Sequence, residues 1–99
     1  MAQIVYARNA LTNLERLYRF LATNNPRAAT RAMQATSDRL ELLESRPRLG
    51  PVDSEQPDLR EFSIPFGSAG YLARYRLDGD LIIVLAVRHA REAGYTVDP

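Results

Sequence analysis

The sequence predicts an α+β fold with a short N-terminal strand, an antiparallel helix hairpin and a three-stranded antiparallel meander, both helices lying on one face of the sheet. Two observations lead to this prediction. Two amphipathic helical patterns fill the first half of the chain, and strand patterns joined by short turns fill the second half. The 99 residues, 45% of them hydrophobic, suffice for one modest core, so we expect a single domain over residues 1–99.

The first two elements are a strand and a helix. Residues 1–7 contain the run Ile-Val-Tyr and alternate weakly, which is typical of a short strand. Asn9 is a candidate N-cap for a helix over residues 9–23. The apolar residues of this helix recur at helical spacing and predict a buried face consisting of Leu11, Leu14, Leu17, Tyr18 and Leu21.

A second helix is predicted over residues 26–44. Asn25 is a candidate cap, and Pro26 stands at the first helical position, where its missing N–H removes no hydrogen bond. The predicted buried face has small residues near its start, which permits close approach to the first helix, and consists of Ala29, Met33, Thr36, Leu40 and Leu43.

The second half of the chain begins with an irregular segment and continues with three strands. Residues 46–58 hold three of the six prolines and are predicted to form a loop. Strands are predicted over residues 59–64, 69–77 and 81–88, and Asp78-Gly79 is a strong hairpin-turn pair between the last two. The unbroken apolar run of the last strand indicates a central strand that is covered on both faces.

The middle strand of the meander separates two sets of side chains. Tyr71 and Tyr75 alternate in phase with small and apolar residues, so we expect them in the core. Arg74 and Arg76 lie on the opposite face and form a cationic patch, although a solvated strand face explains them equally well. The tail that follows the last strand, residues 89–99, is polar and charged.

Composition argues against several classes of function. The chain has no cysteine and only one histidine, so we expect no disulfide, thiol nucleophile, metal site or cofactor. Neither a signal peptide nor a membrane-spanning run is present, which predicts a soluble cytoplasmic protein without membrane contact. The net charge is only +1, yet all 13 basic residues are arginine. Codon usage in a GC-rich genome is the simpler explanation, and bidentate binding of phosphate or carboxylate is the alternative.

The order of these elements and two local motifs resemble the RelE/ParE toxin superfamily, especially its ParE-like plasmid-stabilisation branch. The motifs are the strand from Gly70-Tyr71 to Tyr75-Arg76 with its Asp78-Gly79 turn, and the ending Arg88-His89-x-Arg91-Glu92-x-Gly94-Tyr95. The resemblance covers essentially the whole chain. It implies that the chain is the toxin of a type II toxin–antitoxin pair and that a cognate antitoxin neutralises it. The implied antitoxin is usually a ribbon-helix-helix dimer, and the complex binds DNA through that dimer.

RelE-like members of the superfamily are implied to cut messenger RNA on the ribosome, which needs a base, an acid and a cation at the phosphate. Two departures from the RelE pattern weaken this alternative. Leu72 stands where the resemblance implies an arginine, and Glu-Phe-Ser at residues 61–63 stands where it implies lysines. The candidates are Arg74 or Arg76 for charge, His89 for proton transfer, Arg91 for phosphate contact and Tyr95 for base stacking.

ParE-like members are implied to poison DNA gyrase by binding, which requires no acid–base pair and suits the near-neutral charge. We therefore favour gyrase inhibition without catalysis. An inactive domain that only binds its antitoxin is a further alternative, and for His89 a simple pairing with Glu92 is the plainer explanation. The residues expected to contact the target are Arg74, Arg76, Arg88, His89, Arg91 and Tyr95.

The resemblance implies that the antitoxin carries an acidic segment, which folds on binding. We expect this segment to lie in the groove between the helix hairpin and the sheet edge. A solvated helix surface is the simpler explanation for the basic residues of the hairpin. If they do contact the antitoxin, the candidates are Arg16, Arg19, Arg31 and Arg39.

Overall fold

A computed structural model of the protein describes residues 2–96. Its four strands form one sheet in the order β1-β4-β3-β2. Strand β1 runs parallel to β4, and the other two pairings are antiparallel. The α+β prediction is confirmed. The elements are β1 (Gln3–Tyr6), α1 (Arg8–Asn24), α2 (Pro26–Ser45), β2 (Arg60–Ile64), β3 (Tyr71–Asp78) and β4 (Leu81–His89).

Helix α1 buries a face that only partly matches the predicted one, because Leu14 and Leu21 pack against the core in partly buried positions. Leu17 is buried as expected, but Leu11 and Tyr18 are 54% and 39% exposed. The buried face is instead rotated towards Ala10 and Asn13. Counting apolar residues alone produced this error, because a small residue and a hydrogen-bonded polar residue occupy the centre of the true interface.

The predicted N-cap of α1 is also wrong. The helix begins at Arg8 after Ala7, with no side-chain cap. Asn9 instead lies in the first turn, where its amide donates to the Leu85 carbonyl at 3.3 Å and to Asn13 Oδ1 at 3.4 Å. The side chain is therefore used to join the helix to β4 rather than to begin the helix.

Helix α2 forms for the reasons that its sequence indicates. Asn25 Oδ1 accepts the Ala28 N–H at 3.1 Å, and Pro26 occupies the first helical position. Within residues 2–96, neither helix is long and apolar enough to cross a membrane. Of the five residues predicted for the buried face of α2, four are buried and Met33 is half-buried. The prediction missed Ala32. The buried residues of α2 are Ala29, Ala32, Thr36, Leu40 and Leu43.

The helices cover one face of the sheet, which we call the core face, and leave an open sheet face. Tyr71 and Tyr75 lie in the core, as predicted. Strand β4 occupies the predicted central position, but the expected cover on both faces is wrong. Ile83 and Leu85 on the open sheet face are only half-buried, because both helices pack on the other side.

The hairpin between β3 and β4 is displaced by one residue from the predicted turn. Asp78 pairs with Leu81, so the two-residue loop is Gly79-Asp80. Gly79 adopts φ +57°, and glycine at the first loop position is typical of a type II′ turn. The aspartate therefore closes the strand, and the glycine alone supplies the positive φ.

Tyr75 fixes the long loop between α2 and β2 to the sheet. Its hydroxyl donates to the Pro47 carbonyl at 2.8 Å and accepts the Gly50 N–H at 2.9 Å, and the residue is fully buried. Both partners are backbone groups of an irregular segment, which has no ladder of its own to satisfy them. One phenol thus orders residues that lie more than twenty positions earlier in the chain.

We expect Tyr75→Phe to lower the free energy of unfolding by about 2 kcal/mol, because it leaves a buried N–H and a partly buried carbonyl without a partner. Urea unfolding followed by circular dichroism measures this loss. Tyr18→Phe is the matched control, since the Tyr18 hydroxyl makes no hydrogen bond within residues 2–96. Equal stability of the two variants would contradict the proposed role of the phenol.

Candidate functional site

A cluster of charged and aromatic side chains lies on the open sheet face around Tyr95. The Tyr95 ring lies between two guanidinium groups, with Arg74 Cζ at 4.5 Å and Arg88 Cζ at 5.1 Å from its centroid. Its hydroxyl donates to Glu61 Oε2 at 2.6 Å. Cation–π contact and a charge-assisted hydrogen bond together hold the tail against strands β2–β4. We call these four residues the Tyr95 cluster.

The charges of the Tyr95 cluster are matched within the protein. Arg74 forms an ion pair with Asp53 at 3.5 Å. Hydrogen bonds from the backbone N–H groups of Glu55 and Gln56, followed by the charge of Arg74, hold the pKa of Asp53 below its usual value. Burial and the adjacent Glu61 carboxylate raise the pKa of Tyr95 far above its usual value, so the phenol stays protonated.

The Arg88 side chain holds the tail by donating hydrogen bonds to backbone carbonyls of the tail. Its Nη1 donates to the Glu92 carbonyl at 2.6 Å, with longer contacts of 3.4 Å to the carbonyls of His89 and Ala90. Its Nε is buried and has no hydrogen-bond partner within residues 2–96. The guanidinium therefore acts as a clamp on the chain as it leaves β4.

A second feature lies where α1, the turn after β2 and the end of β4 meet. It is a groove of about 490 Å³, which we call the aromatic groove. One wall is a row of rings: Phe66 stacks on Tyr71 at a centroid distance of 6.3 Å, and His89 meets Tyr71 edge-on at 5.8 Å. Phe20 lies on the opposite wall and is 75% exposed.

Polar groups form the rim of the aromatic groove. Glu92 accepts the His89 N–H at 2.9 Å and an ion pair from Arg16 at 3.3 Å. His89 Nδ1 accepts the Arg91 N–H at 3.1 Å, so a neutral imidazole carries its proton on Nε2. The Arg91 guanidinium donates to Ser68 Oγ at 3.3 Å, and within residues 2–96 it has no carboxylate partner.

Comparison with known proteins identifies the family. Residues 4–94 match the family model described as the ParE toxin of type II toxin–antitoxin system, parDE. The chain belongs to the ParE toxin family. It is therefore a toxin of a type II toxin–antitoxin system within the RelE/ParE superfamily.

Two curated relatives and one solved structure agree with this assignment. Toxin RelE3 of Caulobacter vibrioides is 32% identical over 92 residues, which cover 93% of this chain and 98% of the relative. Toxin RelE1 of the same organism is 37% identical over 83 residues, covering 84% and 87%. The chromosomal ParDE TA system from P. aeruginosa shares the fold, with a TM-score of 0.74 at 22% identity, over 92% of this chain and 98% of that one.

The sequence-predicted target residues of this toxin fall into two groups. Arg74, Arg88 and Tyr95 belong to the open sheet face, whereas His89 and Arg91 line the aromatic groove beside the core residue Tyr71. The strand alternation of β4 separates them, because successive residues point to opposite faces. Arg76 also lies on the open sheet face but outside the Tyr95 cluster; its side chain is 41% exposed and lies 3.9 Å from the Asp78 carboxylate.

This separation limits the chemistry that the toxin can perform with those residues. A nuclease that used all four predicted residues would need His89 and Arg91 to meet the same phosphate as Arg74 and Tyr95, but the two pairs lie on different sides of the sheet. Tyr95 cannot accept a proton as a general base while its phenol stays protonated. Within residues 2–96, no three histidine, aspartate or glutamate side chains are grouped to hold a metal ion.

The predicted antitoxin residues have separate surroundings. Arg16 pairs with Glu92 at the groove, and Arg19 pairs with Glu15 on the surface of α1. Arg39 stacks over Phe62 at 4.5 Å and donates to the Ser63 carbonyl at 3.0 Å, so it covers the outer edge of β2. Arg31, the remaining predicted antitoxin residue, is exposed on α2.

Sequence reasoning missed Phe20 and the carboxylates that neutralise the arginines. Phe20 carries a usable signal, because it is a large apolar residue out of phase with the buried face of α1. Asp53 and Glu61 carry none, since their roles depend on Arg74 and Tyr95, which lie 21 and 34 positions later in the chain.

Proposed function

We propose that this toxin inhibits DNA gyrase by binding and is neutralised by a cognate antitoxin. The observation that carries the proposal is the separation of His89 and Arg91 from Arg74 and Tyr95 on opposite sides of the sheet. Inhibition by binding requires no acid–base pair, whereas RNA cleavage requires several groups at one phosphate. Family analogy supplies gyrase as the target.

The charge of the open sheet face supports the same proposal. Arg74 pairs with the Asp53 carboxylate, and the Glu61 carboxylate accepts from the Tyr95 hydroxyl beside Arg88, so this surface has little net charge to offer a phosphate backbone. Exposed arginine and aromatic side chains beside an apolar groove suit a protein–protein contact instead. Of the predicted target residues, Arg91 and His89 are the best placed for that contact.

Ribosome-dependent cleavage of messenger RNA is the second candidate function. One observation favours it: the two curated relatives are named toxins RelE3 and RelE1. In that case His89 would transfer the proton and Arg91 would hold the phosphate at the groove, without help from Tyr95.

The antitoxin is proposed from the family and from the ParDE toxin–antitoxin system whose toxin fold this chain resembles. We propose a ribbon-helix-helix protein that binds DNA and extends an acidic segment over the toxin. Such a segment would satisfy exposed arginines such as Arg31 and Arg91.

Expression of the toxin without antitoxin tests the target. We expect growth arrest, accumulation of gyrase-cleaved DNA by purified enzyme, and intact messages on translating ribosomes. Arg91→Ala should lower the amount of cleaved DNA about tenfold, as loss of an interface hot spot does, whereas Arg27→Ala on the exposed start of α2 should leave it unchanged. Message cuts that are phased with codons and vanish in His89→Ala would establish the nuclease instead, and absence of arrest would indicate an inactive toxin.

A further inference from the structure

We propose that two copies of the toxin associate face to face through part of the open sheet face. Each copy contributes two neighbouring rows of side chains from β1, β4 and β3, which we call the paired rows. The paired rows are Gln3, Leu81 and Asp78, followed by Val5, Ile83 and Arg76. The aromatic groove lies at the other end of β4, so this association leaves His89 and Arg91 free to contact the target.

The register of the sheet aligns each row across three strands. Ile4, Ile82 and Leu77, which alternate with the paired rows along β1, β4 and β3, pack in or against the core. Because successive residues of a strand point to opposite faces, the paired rows point away from the helices. Side chains directly opposite one another on neighbouring strands lie about 4.5–5.5 Å apart, so each row is a continuous surface.

Aliphatic side chains form the middle of this surface. Leu81 is 36% exposed, and Val5 and Ile83 are only half-buried, since both helices pack on the opposite face. An aliphatic strip on an uncovered sheet can pack against a second sheet at a distance of about 10 Å. Association would therefore remove aliphatic surface from water on both copies.

The charged ends of the paired rows specify a second copy as the partner. The side chains of Arg76 and Asp78 are 41% and 65% exposed, and within one chain their charged groups are 3.9 Å apart. A two-fold axis that crosses the strands between the two rows places Arg76 of each copy over Asp78 of the other. The same axis places Ile83 of each copy over Leu81 of the other, so the surface is complementary to itself.

Two other alignments of the same face are disfavoured. A shift by one row towards the Tyr95 cluster would place Arg76 over Arg74 of the other copy, and these like charges repel. A two-fold axis along β4 would place Arg76 over Val5, which buries a charge against an aliphatic side chain. Of these three alignments, the first pairs both charges of the paired rows.

Sedimentation equilibrium of the full chain, 11.2 kDa per copy, measures this association. Two rows are far fewer than the roughly 20–30 residues a side of a stable interface, so we expect a weak dimer. Its Kd should be on the order of 100 μM, and the measurement should extend about tenfold below and above that value. In the labelled toxin, the backbone amides that shift with concentration should be those of Val5, Leu81 and Ile83.

Charge reversal tests the pairing of the two copies. Arg76→Asp alone and Asp78→Arg alone should each weaken self-association about tenfold or more, because like charges then face each other. An equimolar mixture of the two variants should associate again, since each supplies the charge that the other lacks. The matched controls are Arg31→Asp and Asp58→Arg, which make the same charge changes at exposed positions on α2 and in the loop before β2. Both controls, alone and mixed, should associate like the unaltered toxin.

Ile83→Thr tests the aliphatic contact and keeps a β-branched residue in the strand. It should weaken self-association about tenfold, and circular dichroism should show that it keeps the fold. Monomeric toxin at the highest concentration, a mixture of the charge variants that stays monomeric, or association that is lost in Phe20→Ser but kept in Ile83→Thr would overturn the proposal. So would a monomeric toxin in which Ile83→Thr lowers the amount of gyrase-cleaved DNA, because that result assigns the face to the target. Sedimentation needs neither target nor antitoxin, so its outcome is independent of the proposed function.

Discussion

Gly70→Ala should destabilise the toxin by about 4 kcal/mol, a large share of the roughly 5–15 kcal/mol that holds a small domain together. Gly70 has φ +82°, and a Cβ placed on it would lie 2.2 Å from the Ile64 carbonyl oxygen and 2.9 Å from the Phe66 N. Both neighbours are backbone atoms, one at the end of β2 and one in the β2–β3 connection, so neither can swing away as a side chain would. Thermal or urea unfolding of the purified chain measures the loss.

Gly79→Ala is the matched control for that experiment. Gly79 also has a positive φ, +57°, but no atom lies within 4 Å of the position of its Cβ. Its substitution should therefore lower the free energy of unfolding by only about 1 kcal/mol, the cost of placing an alanine in a left-handed backbone conformation. If the two alanine variants were equally stable, the close approach at Gly70 would not be a constraint on the fold.

The same close approach shapes the aromatic groove. The Gly70 carbonyl accepts the Ala90 N–H at 3.0 Å, so the turn before β3 and the first residue of the tail are held together. Partial unfolding of Gly70→Ala should therefore disturb the tail before the helix hairpin, and the exchange rate of the Ala90 amide should rise first.

Local signals explain which parts of the fold were predictable. Asn25 and Pro26 define the start of α2 through a cap and a fixed φ, both of which depend on neighbours in sequence. Part of the buried face of α1 was missed, because Asn13 belongs to that face only through distant partners. Its Oδ1 accepts the Val87 N–H at 3.0 Å and its amide donates to the Thr96 carbonyl at 3.1 Å, 74 and 83 positions away.

The candidate site, like the fold, could be predicted only where its contacts depend on residues close in sequence. The tail motif drew attention to Arg88, His89, Arg91 and Tyr95, but a motif does not specify the side of the sheet on which each residue lies. Residue alternation along β4 predicts that Arg88 and His89 point to opposite faces. The return of Tyr95 to the open sheet face depends on Glu61 and Arg74, which no spacing within the tail could indicate.

Arg88→Met should lower the free energy of unfolding by about 2 kcal/mol, because it removes charged hydrogen bonds to partly buried backbone carbonyls. The Glu92 carbonyl loses a 2.6 Å donor, and Tyr95 loses one of its two guanidinium contacts. Methionine keeps most of the side-chain length, so packing of the stem is preserved. The tail should loosen more than the core, with exchange at the Ala90 and Glu92 amides accelerated about tenfold or more.

Arg76→Met is the control, because it removes an arginine from the same face whose only ion pair within residues 2–96, with Asp78, is 3.9 Å long and exposed. Its stability should change by less than about 1 kcal/mol. Comparing toxicity with tail protection in the two variants then assigns the role of Arg88. Loss of growth arrest together with loss of tail protection means that Arg88 acts by positioning the tail. Loss of growth arrest with the tail amides still protected would mean that the guanidinium contacts the target itself, and that the clamp is not its function.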